Sequence, residues 1–168
     1  PCRERDLAMA MIAARVLNPM SKLATTRWWH NTTLPKQLGV EDASEDDLYA
    51  AMDWLLQRQP TIEKKLAARH LPKGGMVLYD ISSSYFEGTK CPLAALGHSR
   101  DGKKGTQQVN HGLVTDAHGC PVSITAFAGN TGDSTTVLEQ ATKIRELFEV
   151  ESMVLVGDRG MITDKQID

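Results

Sequence analysis

Only three cysteines occur, Cys2, Cys91 and Cys120, at wide and unpatterned spacing. An odd number so placed builds neither a disulfide framework nor a zinc knuckle, and it fits a reducing compartment. Aromatic residues make up only 5% of the chain. No apolar run approaches the roughly 18 residues needed to span a bilayer, and the N-terminus, Pro1-Cys2-Arg3-Glu4-Arg5, has no apolar signal segment. A basic excess is also lacking: 19 Lys and Arg against 21 Asp and Glu leave a formal net charge of −2. A nucleic-acid contact would therefore rest on local patches rather than on overall charge. Internal repeats and low-complexity stretches are lacking as well.

What is present is enough for a core. Of 168 residues, 41% are apolar, which suits one domain or one domain with a small helical annex. The chain does not begin with Met, and its last residues read as the opening of a helix, as expected of a piece of a longer chain.

Residues 1–72 are expected to be helical. Leu7, Met11, Ala14 and Leu17 recur at helical spacing, and Asn18-Pro19 stops that helix. Ser21 starts a second piece ending in Trp28-Trp29-His30, where the paired tryptophans are better explained as core than as wedges into DNA. A turn-rich stretch runs from Leu34 to Ser44. The acids Glu45, Asp46 and Asp47 suit a solvated first helical turn better than a metal site. Leu48, Met52, Leu55 and Leu56 share a side of that helix, and Pro60-Thr61 is expected to open another. Pro72-Lys73-Gly74-Gly75 marks the boundary with residues 73–168.

Beyond it the period changes from helix to strand. Residues 76–86 read as a strand, 87–106 as a loop, Gln107 to Thr115 as a second strand, and Asp116-Ala117-His118-Gly119 as a hairpin turn. Pro121 to Phe127 alternates as a third strand. A helix follows, with Asp133 as its cap and Val137, Leu138, Ala141, Ile144 and Phe148 as its stripe. The strand 152–157 and a further helix from Met161 complete the order. The fold class is thus α/β.

Two apolar runs each deliver a carboxylate to a strand end, at Asp80 and Asp158, 78 positions apart. A carboxylate at the end of a buried strand is costly unless something pairs with it. The strands can lie parallel and adjacent through a crossover. Both acids would then face one magnesium or manganese site, since hard oxygen ligands select those ions. The alternative is that each Asp caps a turn.

The segment Tyr79-Asp80-Ile81-Ser82-Ser83-Ser84-Tyr85-Phe86-Glu87 resembles the first-aspartate region of bacterial insertion-sequence DDE transposases. Gly97-His98-Ser99-Arg100-Asp101 with Gln107, then Gly112 to Asp116 and Gly119 to Val122, are similar to that family's second and third strands. Phe127 to Ser134 and Val156-Gly157-Asp158-Arg159-Gly160-Met161 resemble its helix start and second-aspartate region. The resemblance implies an RNase H-like mixed sheet preceded by a small N-terminal helical region. It also implies Mg2+ or Mn2+ held by Asp80, Asp158 and a Glu within a Tyr-Arg-Glu-Lys signature. No such signature occurs up to Asp168, and Glu87, Asp133 and Asp164 do not sit in its pattern. Cleavage and joining of double-stranded DNA at terminal inverted repeats, a homo-oligomer, no membrane, and a cytoplasmic, nucleoid-associated location in bacteria complete what the resemblance implies. Another RNase H-like nuclease, or a non-catalytic DNA-binding remnant, stays open.

The basic residues Lys90, Arg100, Lys103 and Lys104 either line DNA, where phosphates supply most sequence-independent affinity, or belong to a solvated loop. Arg159 either contacts a phosphate or pairs with an acid of its own loop. His98, His111, His118 and Cys120 lack ligand spacing for zinc. Ser82 to Ser84 lack the base and orienting group that a serine nucleophile needs.

Overall fold

The computed structural model describes residues 2–71, 75–98, 102–103, 105–148 and 154–156. The chain divides into two compact units, Pro1–Pro60 and Thr61–Asp168.

The first unit holds α1 (Arg3–Leu17), α2 (Lys22–Trp29), α3 (Leu34–Leu38) and the beginning of α4 (Glu45–His70). Ser21 caps α2 by accepting the Ala24 N–H on its Oγ. The helix α3 falls where only turns were expected. Pro35 sits in its first turn, where its missing N–H would have had no partner, and Gly39 at φ 65° ends it. At the start of α4 the Ser44 Oγ accepts the Asp47 N–H, and the Asp47 carboxylate accepts the Ser44 N–H at 2.8 Å. This is a reciprocal capping box with Asp in place of Glu. The core of the unit is Leu7, Ala10, Ala14, Trp29, Val40, Leu48 and Ala51. Trp29 is a core residue, 2% exposed. Leu17, expected on the buried stripe, is 68% exposed because the last turn of α1 runs past that core.

The break expected at Pro60 is absent: α4 continues through it. A proline inside a helix removes one hydrogen bond and costs about 3 kcal/mol. Burial offsets that cost on both sides, through Leu48 and Ala51 before it and Glu63, Ala67 and Leu71 after it. The compact units divide at this proline, twelve residues before the boundary expected from the Pro-Lys-Gly-Gly stretch.

The second unit is built on a sheet of β1 (Met76–Phe86), β2 (Ala95–Leu96), β3 (Gln107–Asp116), β4 (Pro121–Ala128) and β5 (Val154–Val156), with α5 (Asp133–Leu147) between the last two. β1 and β3 are antiparallel from Val77↔Asp116 to Phe86↔Gln107. β4 and the two-residue β2, which lies inside the expected loop, follow one another along the far edge of β3. On its other side β1 pairs in parallel with β5, through Met76↔Val154, Val77↔Leu155 and Leu78↔Val156. Three antiparallel strands, a crossover helix and a strand parallel to the first make an RNase H-like mixed sheet.

Strand alternation gives this sheet two unlike faces. Val77, Tyr79, Ile81, Val114 and Phe127 form one core with Ala67, Leu71, Val137, Ile144 and Phe148 from the helices. Gly112 lets the rings meet: a Cβ there would lie 2.5 Å from Tyr79 Oη and 2.9 Å from Phe127. Glu63, buried, accepts the Ile124 N–H at 3.1 Å and pairs with Lys143 at 2.8 Å. It thereby caps the outer edge of β4. The opposite face leaves Met76, Leu113, Ile124, Val154 and Val156 exposed. No helix among the described residues is long and apolar enough to cross a membrane.

Candidate functional site

Asp80 belongs to the open face. It is exposed, stands between buried Tyr79 and Ile81 in sequence, and pairs in register with Leu113. Among the described residues no hydrogen bond or ion pair engages its carboxylate. It lies two positions past Leu78, the last described partner of β5, a rise of about 6.6 Å along the strand. The same face carries Ser82, Ser84 and His111, whose ring nitrogen meets Ser84 Oγ at 3.2 Å. An exposed carboxylate supplies hard oxygen donors of the kind that divalent cations take.

Asp116 presents the contrasting case on the covered face. Its Oδ1 accepts the Cys120 and His118 amide N–H groups at 2.9 and 2.8 Å, and its Oδ2 meets His70 Nδ1 at 3.2 Å. The Cys120 amide does most to hold its carboxyl below the usual carboxylate range; burial pushes the other way, and His118 and His70 add to the lowering. The ligand atoms of His70, Asp116 and Cys120 all lie within 4.8 Å of one another.

Where β3 and α5 begin, two buried amides organise the backbone. Gln108 Nε2 donates to the His98 carbonyl at 3.1 Å and to the Gly129 carbonyl at 2.9 Å. Asn110 Nδ2 donates to the Thr131 carbonyl at 3.3 Å. A Cβ on Gly129 would sit 2.7 Å from the Ala95 carbonyl oxygen and closer still to that of Gln108, so only glycine fits between β2 and β3. A cavity of about 320 Å³ opens beside these amides and the first turn of α5. Gly132 is the N-cap of that helix and Asp133 its first residue, one place past the cap expected for it.

The family described as "Transposase DDE domain" matches residues 75–168, more than half of the chain. This chain belongs to that family. A solved structure, "Mos1 transposase paired-end complex with left transposon end", is similar at 12% identity and a TM-score of 0.29, with 89% of this chain and 48% of that one covered. The chain thus spans about half the length of that protein. Comparison with curated proteins gives no match.

The matched segment of the DDE domain begins just before β1 and includes Asp80. Enzymes of the family generally use divalent metal ions. Asp158, Arg159, Arg100, Lys104 and the helix from Met161 lie outside the described residues. Lys103 is described: its Nζ stands 3.3 Å from the centre of the Tyr85 ring, a close cation–π contact. Tyr85 projects from β1 on the side opposite Asp80 by strand alternation. The grouping of His70 with Asp116 and Cys120 had no signal in the sequence, because His70 is 46 residues from Asp116. The buried amides Gln108 and Asn110 were equally hidden, since polar residues on alternate strand positions resemble a solvated face.

Proposed function

We propose that this chain is the part of a DNA transposase that carries the first two acidic ligands of its catalytic metal site, Asp80 and Asp158. One observation supports the reading above others. Every described pair between β1 and β5 is offset by 78 positions, and Asp158 follows Asp80 by that same number. In a regular parallel ladder such residues are neighbours with side chains on one face.

The two carboxylates would hold Mg2+ or Mn2+ here, together with a third acidic residue of the family's set. Divalent ions held there would supply stabilisation of the charge that develops on the attacking and leaving oxygens of a phosphodiester. Asp80, fixed by the β1–β3 ladder, positions its oxygen donors without using them in the fold. Arg159, Arg100, Lys103 and Lys104 bind DNA phosphates. The double-stranded partners are the terminal inverted repeats and the target. The similar Mos1 structure is a complex with a transposon end. A homo-oligomer pairs the two ends, in the bacterial cytoplasm at the nucleoid.

The test is a strand-transfer assay with the complete protein on a DNA bearing the element's terminal repeat. Cleavage followed by joining supports a transposase. Cleavage without joining assigns a nuclease instead, and neither reaction assigns a DNA-binding remnant.

A further inference from the structure

We propose that His70, Asp116 and Cys120 form a second metal site, for Zn2+ or a similar borderline transition ion, distinct from the one at Asp80. The donors are one imidazole nitrogen, one carboxylate oxygen and one thiolate sulfur, a set that selects such ions over Mg2+. They come from three elements: His70 ends α4, Asp116 ends β3, and Cys120 leads into β4.

The first argument is the distance between His70 Nδ1 and Asp116 Oδ2, 3.2 Å. An N–H···O hydrogen bond spans that distance, and so do two ligand atoms bound at about 2.0 Å to one tetrahedral ion, which lie about 3.3 Å apart. The pair is therefore already spaced to take up an ion in place of the proton.

The second argument is preparation of the ligands. Two turn amides fix Asp116 Oδ1, which leaves Oδ2 aimed at the site, the outer-shell support that metal-binding carboxylates generally have. Cys120 is a free cysteine and partly accessible. Its sulfur lies within 4.8 Å of the other two donors, so a modest side-chain rotation brings it to bonding distance. Asp116 is 5% exposed, whereas His70 and Cys120 are only partly covered, so an ion can enter from the hairpin side. Water completes the coordination.

The third argument is separation from the catalytic acids. Asp116 pairs with Val77 and faces the helices, while Asp80 lies three positions further along β1 on the opposite face. The site ties the end of α4 to the β3–β4 hairpin, so its occupation stabilises the sheet unit.

The experiment titrates the reduced 168-residue chain with Co2+ as a spectroscopic probe, then with Zn2+. The expected result is one equivalent of Co2+ with sulfur-to-cobalt charge-transfer absorption, displaced by Zn2+, and a raised Tm. Cys120→Ser removes that absorption, His70→Ala weakens binding by at least the roughly 10–100-fold that follows loss of an outer-shell partner, and Asp80→Asn leaves both unchanged. Should Cys120→Ser misfold, the Cys2→Ser/Cys91→Ser double variant must retain the absorption. The proposal is overturned if no cobalt–thiolate absorption forms at one equivalent. It is equally overturned if the absorption follows Cys2 or Cys91, in which case His70 and Asp116 share a proton only.

Discussion

Asp80 and Asp116 stand on neighbouring strands three register positions apart, about 10 Å along the ladder, and their surroundings have almost nothing in common. Asp116 is buried, its oxygens taken by two turn amides and an imidazole. Asp80 is exposed and engaged by no described residue. Residue type cannot account for this, since both are aspartates on paired strands. The pleat does, because a shift of one position moves a side chain from the helix-covered face to the open one. The turn amides build one Asp116 oxygen into the hairpin and leave the other beside His70, whereas both oxygens of Asp80 stand open.

The comparison predicts opposite consequences at the two positions. Asp80→Asn should lower DNA cleavage by the complete protein about 1,000-fold or more, since several kcal/mol of charge stabilisation are lost, with the thermal unfolding curve unchanged. Retained cleavage would break the contrast on its functional side.

On the covered face the largest stability effect belongs to Glu63→Ala. It takes the carboxylate from Lys143, which keeps its bonds to the Ser123 and Thr125 hydroxyls, and an acceptor from the Ile124 N–H, and breaking a buried pair this way costs about 3 kcal/mol or more. Denaturant unfolding measures it, and the Glu63→Leu/Lys143→Met double variant should recover part of the loss. Gly112→Ala forces a Cβ against Tyr79 and Phe127, and overpacking of this kind costs about 1–3 kcal/mol. Asp116→Asn should lower Tm measurably, where Asp80→Asn does not; equal shifts would erase the distinction between the two acids.

The smallest effect concerns the first unit, where Ser44→Ala should cost about 1 kcal/mol through loss of the cap. The Ser44 amide, and then its hydroxyl, hold the Asp47 carboxyl below its ordinary value of 3.8. Stability from Asp47 is therefore complete above that value and is lost as pH falls through the lower folded one. The gap between Ser44→Ala and the parent chain, followed by circular dichroism, should narrow in that acid range.

Much of this sheet was legible before any coordinates. Alternation marked β1, β3 and β4, the 3.6-residue period marked α5, and the Asp-Ala-His-Gly turn fixed the hairpin. These features are local, and local patterns survive in sequence. The short α3 and β2 carry too few residues for a period. Pro60 misled because burial on both sides outweighs one missing hydrogen bond. Leu138, placed on the buried stripe, is 65% exposed, while polar Thr136 and Gln140 are buried, and Gln140 accepts from the Thr125 hydroxyl of β4. At the candidate site, the β-forming run placed Asp80 on β1, but not at a strand end as expected: the strand continues past it to Phe86, because the serines that follow stay paired with β3. The meeting of His70 with Asp116 and Cys120 was not, since it depends on where the end of α4 lands.

The central claim is that Asp80 is a metal ligand on the open face. Its most direct test is DNA cleavage by the complete protein carrying Asp80→Cys, compared in Mg2+ and in Mn2+. A thiolate binds Mg2+ poorly and tolerates Mn2+, so the account predicts an inactive variant in Mg2+ that regains cleavage in Mn2+. Equal activity in the two ions, at the parent level, would contradict it.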